Sequence, residues 1–377
     1  MARTYGFLST YPPTQCGLAT FTVALLHHLT EVTPDSRGHV VRVLPESGKE
    51  PAVALESPVV HRMAPGGVRA AAEALNRCDV AIVQHEYGIY AGPDGADVLG
   101  VLSRLRVPVV VVLHTVLTMP TPGQRRVLDE VVRHADTIVT MSEAARHRLV
   151  TGYAVDRPDE VLVIPHGALD IEPPVRERAG DRPLILTWGL LGQGKGIEWG
   201  ISALPELRDL NPRYLVAGQT HPKVLAREGE TYRDGLRERA DAAGVGDLVE
   251  FDPTYLEVGA LAELVSRADV VLLPYDSTEQ VTSGVLIEAV AARVPVVATE
   301  FPHAVELLAD GVGLLVPHRD PTAIAAALRR VLTEPGLATG MTERAERLAP
   351  ELSWHAVADH YRAVADVLLT VRVATTR

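Results

Sequence analysis

"LTWGLLGQGKGIEWG", residues 186–200, decides the architecture. An apolar run, "PLILTW", leads into "GLLGQGKG", and a helical pattern follows. Strand, glycine-rich loop and helix in that order are the repeating unit of an α/β sheet. The loop nearly matches the phosphate-loop pattern G-x-x-x-x-G-K-[ST], with Gly189, Gly194 and Lys195 in place. Gly196 stands where that pattern needs a Mg²⁺-binding Ser or Thr. The chemistry of anion binding survives, because backbone amides and one ammonium remain; nucleotide hydrolysis loses its metal ligand. Lysine occurs only at positions 49, 195 and 223. Lys195 amid glycines is thus a better functional candidate than a random surface lysine.

Similar units extend in both directions. The strand candidates before residue 170 are "YGFLS", "HVVRVL", "VAIVQ", "VPVVVVL", "TIVTM" and "VLVIP". After residue 180 come "PLILTW", "RYLVAG", "LVEF", "VVLLP", "PVVAT" and "GLLVP". Most are continuously apolar, as strands buried on both faces of a parallel sheet must be. Helical patterns such as "GLATFTVALLHHLT" and "PTAIAAALRRVL" intervene. A chain of 377 residues exceeds one typical core. "DIEPPVRERAGDRP", residues 170–183, is rich in Pro and charge and reads as a linker. The expectation is an α/β chain with two Rossmann-like, doubly wound domains, 1–172 and 184–352, a linker at 173–183 and a closing segment at 353–377. The two domains are expected to face a cleft.

Composition narrows the partners. The formal net charge is −12, which argues against nucleic acid and anionic membrane surfaces. No apolar run reaches bilayer-spanning length and the first residues show no signal pattern. Two distant cysteines, Cys16 and Cys78, suit a reduced cytoplasm, and a cytoplasmic protein is expected. No zinc spacing appears, and His27-His28 reads as a helical pair without an acidic ligand at a recognised spacing.

Open α/β sheets bind ligands beyond the carboxyl ends of their strands. Four further segments there are distinctive. In "STYPPTQCGLATFT", Gly17 opens a helix; it either lets a phosphate or sugar approach the backbone or serves only the turn. In "QHEYGIYAGPDG", His85 and Glu86 either bind one ligand together or belong to a loop packed on itself. His114 ends the most apolar strand, as a site residue or a satisfied core histidine. In "QVTSGVLIE", Thr282, Ser283 and Gly284 offer a cap and free amides at a helix start. Glu288, one turn on, would ordinarily mark the solvent face.

From "LTWGLLGQGKG" to "LLVPHRD" the chain resembles the retaining GT-B glycosyltransferases of family four, and the resemblance covers most of its length. It is carried also by "LVAGQTHP", by "VLVIPHGAL" and by "ADVVLLPYDSTEQVTSGVLIEAVAARVPVVATEFPHAVELL", which is similar to the donor-site block. "LSWHAVADHYRAVADVLL" is similar to the closing helix that crosses back to the first domain. The resemblance implies that Glu288 binds the ribose hydroxyls of a donor nucleotide and that Lys195 binds its diphosphate. It places Gly17, Thr282, Ser283 and Gly284 around the phosphates and His114 near the transferred sugar. His85, Glu86, Glu279 and Gln280 are the remaining candidates for the sugar or acceptor. Three positions depart from the family's pattern. Gln280 stands where its first glutamate is usual. Leu190 stands where an arginine is usual, a charge that His221 or Lys223 would have to supply. His166-Gly167 replaces a commoner Asn-Gly.

The expected activity is transfer of a hexosyl group, with retention, from a nucleotide-diphosphate sugar. Lys195 and loop amides would stabilise the departing diphosphate without metal or cofactor. Gln280 and His114 would act at the sugar, and domain closure would exclude water. The alternatives are a sugar phosphorylase, a nucleotide-sugar-binding regulator without catalysis and, more remotely, a phosphate-loop NTPase.

Overall fold

The computed structural model describes residues 2–44, 59–169 and 182–375. These residues divide into two compact units, Met1–Gly167 with Trp354–Arg377, and Ala168–Ser353. Most of the expected linker, residues 173–181, lies outside the described residues, as does Lys49.

Unit 1 holds strands β1 (Thr4–Ser9), β2 (Arg37–Val43), β3 (Val59–Met63), β4 (Val80–His85), β5 (Val109–Leu113), β6 (Thr137–Thr140) and β7 (Val161–Val163). They form one parallel sheet in the order β3-β2-β1-β4-β5-β6-β7. Unit 2 holds β8 (Leu184–Trp188), β9 (Arg213–Ala217), β10 (Val249–Asp252), β11 (Val270–Leu273), β12 (Val296–Thr299) and β13 (Gly313–Val316). Their order is β10-β9-β8-β11-β12-β13, again parallel. Every strand read from the sequence is present. The additional one, β3, is "VVHRM", whose His and Arg break the apolar run that marks the others.

Continuous apolarity follows from burial on both faces. Leu184, Leu186 and Trp188 of β8 enter one core of unit 2. The alternate residue Ile185 enters the other, with Tyr214 and Ile201. Both sheets start at an inner strand, build outward on one side, then return to build on the other. The order reverses between β1 and β4 and between β8 and β11, where doubly wound sheets open a crevice at the strand ends. The ladder between β8 and β11 pairs only Ile185–Leu186 with Val270–Val271. Past that point the Thr187 hydroxyl donates to the Leu272 carbonyl at 2.6 Å. In unit 1, Tyr90 plays the same part, its hydroxyl donating to the Gln84 carbonyl at 2.6 Å and lying 3.4 Å from the Leu8 carbonyl.

The helix Trp354–Thr375 belongs to unit 1. Trp354 lies 5.1 Å from the Phe21 ring, and Arg362 donates to the His28 carbonyl at 2.7 Å. A Cβ on Gly167 would collide with the Trp354 indole, so this glycine serves packing. Among the described residues no helix is long and apolar enough to cross a membrane.

Candidate functional site

In unit 2 two loops flank the reversal point. The first runs from Gly189 to Gly196, and three of its glycines have positive φ: 118° at Gly189, 88° at Gly194 and 64° at Gly196. Only glycine holds such a backbone without strain. A Cβ on Gly196 would also strike the Pro274 carbonyl oxygen. Gly196, the residue that spoils the phosphate-loop pattern, is therefore demanded by the close approach of the loop to the end of β11. Asp276 N–H donates to the Gly194 carbonyl at 3.0 Å and closes that contact. Lys195 Nζ lies 4.4 Å from the centre of the Tyr275 ring, a cation–π contact that fixes the ammonium beside the strand end.

The second loop carries "QVTSG". Ser283 caps the helix Gly284–Ala291, its hydroxyl accepting from Leu286 N–H at 3.2 Å. Buried His303 accepts the Ser283 N–H on Nδ1 at 2.9 Å and donates its own N–H to the Gln280 carbonyl at 3.3 Å. His303 thus pins both ends of the loop. The Gln280 amide donates one of its two protons to the Thr282 carbonyl at 3.1 Å, so part of its donor capacity serves the loop itself. Glu279 N–H reaches the Ser277 hydroxyl at 3.3 Å. Thr282 Oγ1 and Tyr275 Oη are buried without a hydrogen-bond partner, which in a folded protein calls for an explanation such as a ligand.

Glu288 does not mark a solvent face. It is partly buried among Leu286, Ile287, Ala289 and Val290, and Trp188 Nε1 donates to its Oε2 at 3.2 Å. Burial pushes its carboxyl up to about 7, against the smaller opposite effect of the Trp188 bond. A half-desolvated carboxylate with one indole donor retains accepting capacity, which suits a pair of hydroxyls. Trp188 was not picked out by sequence, although its place at the last position of β8 is where strand-end reasoning would look.

Unit 1 repeats the arrangement with different chemistry. Gly17 opens the helix Gly17–Glu31 at an ordinary backbone angle, and a Cβ there would meet nothing within 4 Å. The turn does not need glycine here, and the space beside its Cα is open. The Cys16 thiol lies 3.2 Å from the Thr10 hydroxyl. His85 is the last residue of β4 and is buried, which corrects its expected place on a loop. Burial pushes it down to about 4, and its Nδ1 has no partner. Glu86 accepts from Gly88 N–H at 2.7 Å and so turns onto its own loop. His114 follows β5 and its Nε2 lies 2.6 Å from Gln84 Oε1. Burial, then His166 and His85, push it down to about 3. It is a neutral imidazole at ordinary pH and therefore a hydrogen-bonding group rather than a titrating acid. Fully buried Gln84, another residue the sequence did not single out, sets its orientation while leaving its own Nε2 without a partner.

The reading of His27-His28 needs correction. Glu31, one helical turn on, brings its carboxylate within 3.6 Å of His27 Nε2, and the three side chains hold potential ligand atoms within 4.8 Å of one another. The cluster lies on the helix Gly17–Glu31, with His27 and Glu31 exposed.

Comparison with known proteins agrees with this geometry. The family described as Glycosyl transferases group 1 matches residues 170–348, and Glycosyltransferase Family 4 matches residues 16–168. A D-inositol 3-phosphate glycosyltransferase of Kineococcus radiotolerans is 29% identical over 70% of this chain and 68% of its own. One from Geodermatophilus obscurus is 31% identical over 68% of this chain, but only 60% of its own length is matched. In fold, the chain is similar to Anabaena HepE, solved with UDP and glucose: TM-score 0.77 and 16% identity over 97% of this chain and all of that one. With two parallel Rossmann-like sheets of the GT-B class and both halves matched, the chain belongs to the group 1, family 4 glycosyltransferases.

Proposed function

We propose that the protein moves a hexosyl group from a nucleotide-diphosphate sugar to an acceptor, with retention at the anomeric carbon and without a metal ion. The observation that carries this reading is the pair of loops at the reversal point of unit 2. One fixes Lys195 on Tyr275, and the other leads into the helix whose Glu288 sits under Trp188. A ribose presents two adjacent hydroxyls to Glu288, and a diphosphate presents anionic oxygens to Lys195 and to the loop amides. Loss of the diphosphate leaves an oxocarbenium-like sugar, and the departing charge is stabilised by donors fixed beforehand. Lys195 supplies the charge that Mg²⁺ supplies in other phosphate chemistry. A leaving phosphate oxygen takes the acceptor's proton, so the low basicity of His114 is no obstacle. His114, as a neutral ring held by Gln84 in unit 1, offers a hydrogen-bonding nitrogen to a sugar hydroxyl. Similarity to a protein crystallised with UDP and glucose supports the donor class, and the names of the curated relatives make a phosphorylated polyol the first acceptor to try.

The test incubates the protein with UDP-, GDP- and ADP-sugars, with and without D-inositol 3-phosphate and other sugar or polyol acceptors. It follows nucleotide release and the anomeric configuration of the product by NMR. Acceptor-dependent release, retained configuration and persistence in excess chelator are expected. Binding without turnover would instead support a regulator, and phosphate-dependent glycoside cleavage a phosphorylase. An inverted product or metal-reversible loss of activity would contradict the mechanism.

A further inference from the structure

His27, His28 and Glu31 stand at the end of the helix Gly17–Glu31 in unit 1, where the closing helix Trp354–Thr375 packs against it. His27 and Glu31 are one turn apart, and His27 Nε2 lies 3.6 Å from Glu31 Oε2. Such a pair alone is an ordinary surface contact. The third side chain makes it more, because one potential ligand atom from each of the three lies within 4.8 Å of the other two. Donors around a tetrahedral zinc ion stand about 3.4 Å apart, so small side-chain rotations complete the set.

His28 is preset as a ligand. Its Nδ1 lies 2.8 Å from the Ala24 carbonyl oxygen, which can only accept. The ring proton is therefore on Nδ1, and Nε2 presents its lone pair. Metal-binding histidines commonly have this arrangement, with the second nitrogen held by a carbonyl or carboxylate. Trp354 lies nearly parallel to the half-buried His28 ring at 6.4 Å, and Arg362 donates to the His28 carbonyl at 2.7 Å. His355 is not one of the three, but its ring centre lies 4.7 Å from that of His28, edge to face. It is exposed on the first turn of the closing helix, where rotation of the side chain carries a nitrogen towards the group.

We propose that His27, His28 and Glu31 bind a divalent ion of the zinc class and that His355 supplies a fourth donor from the closing helix. Imidazole nitrogens with one carboxylate suit Zn²⁺ and its late first-row neighbours, whereas Mg²⁺ and Ca²⁺ take oxygen donors. The ion ties the two helices of unit 1 together. Gly17 begins the same helix ten residues before His27, about 15 Å away along its axis. The ion is therefore structural, and the transfer chemistry proposed above stays free of metal.

The experiment is titration calorimetry of the untagged protein with Zn²⁺ and with Mg²⁺, together with unfolding temperatures at saturating Zn²⁺ and in excess chelator. The parent should bind Zn²⁺ at one tight site, ignore Mg²⁺ and gain about 3–10 °C in unfolding temperature. His27→Ala and Glu31→Gln alter exposed side chains, so the fold is kept. Each should weaken Zn²⁺ binding at least about tenfold and remove most of the thermal gain. His28→Ala should do the same, with any packing loss visible separately in chelator. His355→Ala should weaken binding by about tenfold. No saturable Zn²⁺ binding by the parent, or affinity unchanged in both His27→Ala and Glu31→Gln, would overturn the proposal. Affinity unchanged in His355→Ala would overturn the tie between the helices, and Mg²⁺ bound as tightly as Zn²⁺ would overturn the class of ion. None of these readouts involves a sugar donor, so the nucleotide-sugar reading stands or falls apart from them.

Discussion

Glu288 combines a stability cost with a proposed binding role, and the two separate under mutation. Its folded carboxyl is raised from an ordinary 4.5 to about 7. The sign is that of a group whose ionisation the fold resists. There is no penalty below about pH 4.5, a growing one as pH rises, and the full one above about 7, on the order of 3 kcal/mol. Glu288→Gln should therefore stabilise the protein at pH 8 by roughly 1–3 kcal/mol in urea unfolding and have little effect at pH 4.5. It should also weaken nucleotide binding. A variant that is no more stable at pH 8 than its parent would mean that the carboxyl is well solvated. Gly17 offers the converse test. With an ordinary backbone angle and no neighbour within 4 Å of an added Cβ, Gly17→Ala should leave stability within roughly 1 kcal/mol or raise it. If the missing Cβ is there for a ligand, donor turnover should nonetheless fall, and full activity would return Gly17 to an ordinary helix start.

At the scale of elements, the two loops of unit 2 differ in what their sequences disclose. "GLLGQGKG" advertises itself, since glycines at strand ends and a rare lysine are legible without coordinates. Why Gly196 replaces a hydroxyl residue was not legible, because the Pro274 carbonyl that excludes a side chain lies far along the chain. Gly196→Ser, which completes the phosphate-loop pattern, should thus gain no nucleotide hydrolysis and should destabilise unit 2 by about 2 kcal/mol or more, through positive φ and collision. A stable variant with new, Mg²⁺-dependent hydrolysis would show that the loop has other conformations within reach. "QVTSG" was read as a capped helix start, which it is, but its support was hidden. His303 holds it from the next helix, a contact with no local periodicity to betray it. The sequence also suggested that Gln280 faces a sugar; one of its two amide protons goes to the Thr282 carbonyl. Short polar side chains on loops commonly satisfy nearby backbone first, and spacing cannot distinguish that from ligand binding.

The whole molecule shows what periodicity can and cannot deliver. Continuously apolar runs alternating with helices led to two parallel α/β domains, because burial on both faces leaves no other pattern. Strand order is set by long-range pairing, so the two reversal points emerged only from the sheets themselves. The residues flanking them, Trp188 and Gln84, were missed for the same reason. Unit 1 also gathers three histidines whose charging the fold resists: His85 and His166 at about 4 and His114 at about 3. All lie below the ordinary 6.5, so the unfolded chain binds protons first. The stability they confer is present above about pH 6.5 and is lost progressively as pH falls towards 4. His166→Asn should shrink the loss of stability between pH 7 and pH 5 by up to about 2 kcal/mol in urea titrations, whatever its packing costs against Phe21 and Trp354. An unchanged difference would mean that His166 titrates normally.

The central claim is that unit 2 holds a nucleoside diphosphate with Lys195 on its phosphates and Glu288 on its ribose. The most direct measurement is the affinity of the tightest-binding of UDP, GDP and ADP, of its nucleoside and of its 2′,3′-dideoxy form, for the parent protein, Lys195→Ala and Glu288→Ala. Lys195→Ala should lose roughly tenfold or more against the diphosphate and nothing against the nucleoside. Glu288→Ala should lose against the diphosphate and the nucleoside alike, and nothing against the dideoxy form, which lacks the hydroxyls the carboxylate would accept from. Equal losses for every ligand, or none, would contradict the account.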